Sequence, residues 1–254
     1  MFVEERKQRI LNILKQKEKV SVNELSSLFS VSKVIIRKDL CNMEEEDLLT
    51  RTHGGAIFKK KLVDKIVLKD IAKEDLAEKT ELAEKVVSVI KENDVIFLDD
   101  STVTILVAAL LQKKKMKLTV ITNMLGIQKI LSENKSIEVI SLGGIYDSRT
   151  DSFIGEMARQ NLERFNPNKV FIGTCGINVD RMQLSASTID EGKFKNTALK
   201  IGKETYILAQ NKKFFQDYLY NFSEIKNGMT IITDKNISHD IETKLLDSDV
   251  KIMK

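Results

Sequence analysis

At 254 residues, with 42% hydrophobic and 31% charged side chains, the chain has an ordinary globular composition and length enough for one or two well-formed cores. No apolar run approaches the roughly 18–20 residues of a membrane span, the charged stretch from Met1 to Lys7 is not expected to act as a signal peptide, and two distant cysteines, Cys41 and Cys175, argue for a reduced cytoplasm rather than a disulfide framework. The net charge of +4 is uneven, for residues 1–60 hold 12 Lys/Arg against 9 Asp/Glu; nucleic-acid partners favour such asymmetry, and so does a generally lysine-rich proteome.

Val3, Ile10, Ile13 and Leu14 recur at helical spacing, with Glu4, Glu5, Arg6 and Lys7 turned outward. Lys17 to Lys19 break the pattern. Ser21-Val22-Asn23-Glu24 is an S-x-x-E capping box, in which hydroxyl and carboxylate each satisfy an unpaired backbone N–H, and Val20 with Leu25 can staple the start. The second helix is short, about Val22 to Phe29. After a tight turn Ser32 offers another N-cap, with Val31 and Ile36 as its staple.

From there Ile36, Leu40 and Met43 form one apolar stripe. At about 100° per residue, Val34, Arg37, Lys38 and Cys41 lie opposite it, flanked by Ile35 and Asn42. Two short helices around a tight turn, with cations opposite the core stripe, form the helix-turn-helix pattern. Its second helix enters the major groove, N-terminal half nearest the base edges. The expected DNA-binding residues are Ser32, Lys33, Val34, Ile35, Arg37 and Lys38; the competing reading is a merely solvated helix face. Leu48 to Ile57 then reads as a small hairpin, or wing, around Gly54-Gly55. It brings Arg51 and His53 toward the phosphate backbone. The domain is expected to span 1–58.

Residues 59–74 are lysine-rich and read as a linker. From about residue 75 to 254 apolar runs alternate with amphipathic stretches. Strands are expected at Val95–Leu98, Leu118–Ile121, Ile137–Ile140, Val170–Ile172, Tyr206–Ala209, Met229–Ile232 and Val250–Met253. Helices are expected at Leu82–Ile90, Ile105–Leu111, Leu125–Leu131 and Glu191–Gly202. That alternation implies an α/β domain with a mainly parallel, doubly wound sheet. Ligands of such sheets bind at the carboxyl ends of the strands. The loop Asp99-Asp100-Ser101-Thr102-Val103-Thr104 follows one strand and opens a helix, where hydroxyls and free N–H groups suit a phosphate. Thr122-Asn123, Gly143-Gly144 and Gly173 to Gly176 end the next strands, and Lys195 and Lys213 can supply positive charge. Each loop alone is an ordinary helix cap. With two histidines and two cysteines the sequence offers no metal-ligand spacing, and no cofactor is expected.

VSKVIIRKDL followed by RTHGGA resembles the N-terminal signature of the DeoR family of bacterial sugar-metabolism repressors, with Ile35 in place of threonine and Lys38 in place of the second arginine. The second half is similar to the DeoR effector domain, itself like ribose-phosphate isomerases and glucosamine-phosphate deaminases. DDSTVT, Thr122-Asn123, Leu142-Gly143-Gly144, Gly176-Ile177, Glu191, Lys195 and Lys213 match its pattern. The resemblance implies an effector site built from Asp99, Ser101, Thr102, Thr104, Thr122, Asn123, Gly143, Gly144, Gly176, Glu191, Lys195 and Lys213.

Four positions depart from that pattern: Ser101 for a loop glycine, Val103 for a threonine, Asn178 and Gln210 for aspartates. The resemblance leads to the expectation of a homo-oligomeric DNA-binding regulator of a carbohydrate operon, with a double-stranded operator and a small phosphorylated sugar as partners and no membrane association. Two alternatives stay open. One is a ligand-independent regulator with a degenerate pocket. The other is a phosphosugar isomerase or deaminase-like enzyme, against which stands the absence of histidine within the match and of G-x-S-x-G or a phosphate loop.

Overall fold

The computed structural model describes residues 3–17, 19–45, 48–58, 75–214, 216–234 and 237–254. The chain divides into two compact units, Met1–Lys65 and Ile66–Lys254, each with its own hydrophobic core. The segment 59–74, expected to be a linker, lies outside the described residues.

The first unit runs α1 (Val3–Lys17), β1 (Lys19–Ser21), α2 (Val22–Phe29), α3 (Lys33–Glu45), β2 (Leu49–Thr52) and β3 (Gly55–Phe58). Ile10, Leu14, Leu25, Ile36, Leu40 and Met43 close its core. Ser21 caps α2, accepting the Glu24 N–H at 3.1 Å. Lys17 donates to the Glu24 carboxylate at 2.7 Å and draws it below its ordinary value. Ser30, left-handed at φ 54°, ends the helix and sharpens the turn into α3.

Two expectations for α1 are corrected. Val3 is exposed, and Arg6 and Lys7 are buried rather than turned outward. The reason for Arg6 is a forked ion pair with Asp39 of α3: Nε donates to Oδ2 at 2.5 Å and an Nη to Oδ1 at 3.1 Å. A second difference is β1, in a stretch read as the end of a break followed by the staple and cap of the next helix. It pairs antiparallel with β3 and completes a sheet of order β1-β3-β2. Both glycines of the wing are then required. Gly54 sits at φ +124°, and a Cβ on Gly55 would fall 2.0 Å from the Val20 carbonyl oxygen.

The second unit is built on a seven-stranded parallel sheet, β15-β14-β12-β9-β4-β5-β6. Its strands are β4 (Val95–Leu98), β5 (Leu118–Thr122), β6 (Ile137–Ser141), β9 (Lys169–Gly173), β12 (Glu204–Leu208), β14 (Met229–Ile232) and β15 (Lys251–Met253). Helices α4 (Leu76–Val89), α5 (Thr102–Leu111), α6 (Leu125–Leu131), α7 (Glu156–Leu162), α8 (Ile189–Ile201) and α9 (His239–Asp247) complete the layers. All seven expected strands and all four expected helices are present, though α4 begins six residues early of its expected Leu82 start and α5 three residues early of Ile105. Outside the parallel sheet lie two antiparallel pieces the pattern did not reveal. One is a hairpin of β7 (Ile145–Asp147) and β8 (Ser152–Ile154); the other is a sheet of β10 (Gly176–Asn178), β11 (Gln183–Ala186) and β13 (Tyr220–Glu224).

The chain begins the sheet in its middle. It winds β4 to β6 toward one edge, then returns beside β4 with β9 and proceeds to the other. The crevice outside the ends of β4 and β9 is therefore the topological switch point, where open α/β sheets hold their ligands.

Candidate functional site

On α3 the buried stripe of Ile36, Leu40 and Met43 leaves Lys33, Val34, Ile35, Arg37 and Lys38 exposed. Ser32, also exposed, caps the first turn by accepting the Ile35 N–H at 3.3 Å. No ion pair with a described residue engages Lys33, Arg37 or Lys38. Arg51 is less free: it donates to Cys41 Sγ at 3.2 Å and lies 3.9 Å from Glu44, so it braces the wing against α3. His53 is exposed at the hairpin turn.

At the switch point Asp99 leaves β4 fully buried. Its carboxylate accepts the Gly173 N–H at 2.7 Å, the Ser101 N–H at 3.1 Å and Lys195 Nζ at 3.2 Å, which stitches the ends of β4, β9 and α8 together. Lys195 Nζ also donates to the Gly173 carbonyl at 2.7 Å and pairs with Glu191 at 3.1 Å. Burial alone would lower its pKa, but Asp99, Glu191 and Asp100 outweigh that and hold the ammonium above the ordinary lysine range. A Cβ on Gly173 would meet Ser101 Cβ at 2.5 Å, so the two loops touch only because residue 173 has no side chain.

Above this floor opens a cavity of about 650 Å³. Two helix N-termini border it. Ser101 caps α5 through the Thr104 N–H at 3.3 Å, and Thr188 caps α8 through the Glu191 N–H at 3.2 Å. Capping leaves neighbouring backbone N–H groups, and the positive end of each helix dipole, facing the cavity. Lys213 lies on its wall, donating to the Thr174 carbonyl at 2.6 Å. Burial, and then the nearby Lys195 cation, push Lys213 down to about 8. Asp100 shifts upward, because desolvation and the adjacent Asp99 and Glu191 charges oppose its ionisation more than Lys195 and a hydrogen bond from Ser152 favour it. Asn123, 1% exposed, donates to the Phe153 carbonyl but leaves its own Oδ1 without a partner among the described residues. A buried acceptor of this kind calls for a donor from a ligand or water.

Of the twelve residues expected to bind an effector, Ser101, Thr102, Asn123, Glu191, Lys195 and Lys213 line the cavity. The other six do not, and each has a structural task. Asp99 lies beneath the floor, and Thr104 donates to its carbonyl at 2.7 Å. Thr122 Oγ1 accepts the Met124 N–H at 3.1 Å and closes the turn after β5. Gly143 and Gly144 take positive φ where the chain leaves β6, and a Cβ on Gly144 would come within 2.8 Å of the Ile154 carbonyl. Gly176 passes against the Gln216 carbonyl, 1.9 Å from where its Cβ would stand.

Sequence reasoning missed the rim. Asp147, Arg149 and Thr150 reach the cavity from the β7–β8 turn, and Glu156 and Arg159 from α7. Their spacing follows no helical or strand period. Ser187 and Thr188 were findable, because Thr188 to Glu191 is itself a T-x-x-E cap. The four departures are also placed. Ser101 is extended at φ −86°, so nothing there requires glycine. Val103 and Gln210 line the cavity, whereas Asn178 lies outside it, donating to the Asp217 carboxylate at 2.9 Å. Among the described residues no cluster of His, Cys, Asp and Glu could hold a metal ion, and no helix is long and apolar enough to cross a membrane.

Comparison with known proteins gives two family matches: a DeoR-like helix-turn-helix domain over residues 6–61 and a DeoR C terminal sensor domain over residues 74–235. The uncharacterised HTH-type transcriptional regulator YulB of Bacillus subtilis strain 168 is 31% identical over 252 residues, covering 99% of this chain and 96% of the relative. The lactose phosphotransferase system repressor of Lactococcus lactis subsp. lactis is 33% identical over 238 residues, covering 92% and 91%. Among solved structures, ribose 5-phosphate isomerase A of Methanocaldococcus jannaschii aligns with a TM-score of 0.41 at 14% identity, over 56% of this chain and 55% of that one.

Proposed function

The chain belongs to the DeoR family of helix-turn-helix transcriptional regulators, and we propose that it represses a carbohydrate operon under the control of a small phosphorylated sugar bound in the switch-point cavity. The helix α3 enters the major groove of a double-stranded operator, with Lys33, Val34, Ile35, Arg37 and Lys38 on the DNA side and Ser32 fixing the first turn. Arg51 and His53 approach the backbone from the wing. In the sensor domain the phosphate sits against the N-termini of α5 and α8, at Ser101 and Thr102, with Lys213 as its countercharge. Glu191, Lys195 and Asn123 shape the wall. Asp99, Thr104, Thr122, Gly143, Gly144 and Gly176 support these loops without touching the ligand.

The observation that carries the sensing half is the convergence of two capped helix N-termini and Lys213 on one cavity. A repressor that reads repeated half-sites acts as a homo-oligomer in the cytoplasm, and the ligand alters operator affinity through its differential affinity for two arrangements of the protein. The test is a thermal-shift screen of phosphorylated sugars on the full chain, followed by operator titration with each hit. Sensing is supported by a ligand that both raises the melting temperature and changes DNA affinity. A broad panel with neither effect leaves a ligand-independent regulator in its place.

A further inference from the structure

Val34 and Ile35 stand out on α3 because they are branched, apolar and open to water, at 72% and 41% exposure. Both lie in the first turn, which the Ser32 hydroxyl fixes through the Ile35 N–H. Their β-branched side chains are stiff about χ1, so they present a shaped surface with little rotamer freedom to lose. Lys33, Arg37 and Lys38 share that exposed side of the helix and have no ion pair among the described residues. An apolar pair set among unpaired cations matches the major groove, where phosphates flank base edges.

We propose that Val34 and Ile35 read thymine: they form a surface against which the 5-methyl groups of neighbouring thymines in the operator pack. Neither side chain can donate or accept a hydrogen bond, so neither can recognise the polar edges of guanine, adenine or cytosine. The thymine methyl is the one apolar mark in the major groove. Cytosine at the same position carries only hydrogen at C5, so the methyl contact is lost. The inference rests on α3 being the DNA-reading helix and adds to it which base the first turn selects.

The test begins with the full chain and a random-sequence duplex library. Enriched sites are then resynthesised with deoxyuridine in place of each thymine in turn, which removes the methyl group and nothing else. One or two thymines per half-site are expected to lose about fourfold in affinity per methyl. Val34→Ser and Ile35→Ser, at exposed positions, keep the wild-type melting temperature and bind the thymine and uracil versions equally. If sites enrich but uracil is neutral everywhere, or if both variants keep the wild-type uracil penalty, the thymine reading is overturned and DNA binding stands. If no site enriches, both fail. If the variants change the oligomeric state while DNA affinity holds, the apolar pair belongs to an interface between copies of the chain, which also overturns the proposal.

Discussion

Arg37 and Lys213 illustrate how a single charged side chain acquires a task from what surrounds it. Arg37 is exposed on α3 and has no ion-pair partner among the described residues, so its removal takes nothing from the fold. Arg37→Ala is expected to weaken operator binding by about 1–3 kcal/mol if the guanidinium contacts a base, with the melting temperature unchanged. A titration at several salt concentrations separates this from a phosphate contact, for which the loss is alike on all sequences and the salt slope is shallower. Lys213 is the opposite case, a cation held where its charge is disfavoured. Lys213→Met should abolish the effect of the sugar phosphate on operator affinity while leaving unliganded DNA binding intact. Because the folded-state pKa lies below the unfolded value, protonation of this lysine opposes folding, fully below about pH 8 and less as the pH rises from there toward the ordinary lysine value. The variant is therefore expected to melt no lower than wild type at pH 7, and a marked fall would mean that Lys213 serves packing instead. What was legible at this scale were the caps, because Ser21, Ser32 and Ser101 act on N–H groups three residues away. The unpaired state of Asn123 Oδ1 was not, because it depends on Phe153, thirty residues distant.

Helices and strands impose constraints that no single residue shows. Arg6 and Asp39 join α1 to α3 through a pair that is about 5% exposed on each side. Asp39→Ala removes the carboxylate half of a buried, forked ion pair and is expected to lower the midpoint of denaturant unfolding. The double replacement Arg6→Met with Asp39→Leu should recover most of that, and failure to recover would show that the hydrogen-bond geometry rather than the charge is what matters. In the wing, Gly55→Ala places a Cβ against the Val20 carbonyl and is expected to detach β1 from β3, with loss of operator binding and a lowered melting temperature. The parallel strands could be read from sequence because both faces are covered and the strands are continuous apolar runs. The β7–β8 hairpin could not. It is short, its Ile145 and Tyr146 are exposed, and polar residues fill its turn. Asp147, Arg149 and Thr150 reach the cavity from this hairpin, which explains why the expected site lacked them.

For the molecule as a whole, two separate cores predict two separable responses. Calorimetry of the full chain should show two unfolding transitions. An active phosphosugar at about 100-fold excess over its Kd should raise the stability of one by about 2.7 kcal/mol, and operator DNA should raise the other. A single transition moved equally by both ligands would mean that the units unfold as one. The division itself was visible in the change from winged-helix spacing to alternating strands and helices. The order of the strands was not visible, because sequence shows succession and not adjacency, and only the fold puts β9 beside β4.

The lowered pKa of Lys213 also makes the cavity a participant in proton exchange with the solvent. Near pH 8 about half of the empty sites carry no proton on that amine, whereas a seated dianion would draw the ammonium back toward its ordinary range. Binding then consumes protons, and affinity falls as the pH rises through 8 toward the bound-state value. Titration calorimetry at pH 8 in two buffers of different ionisation enthalpy would reveal the uptake directly, since the measured heat would differ by the buffer's own contribution. Equal heats would show that Lys213 keeps one protonation state throughout.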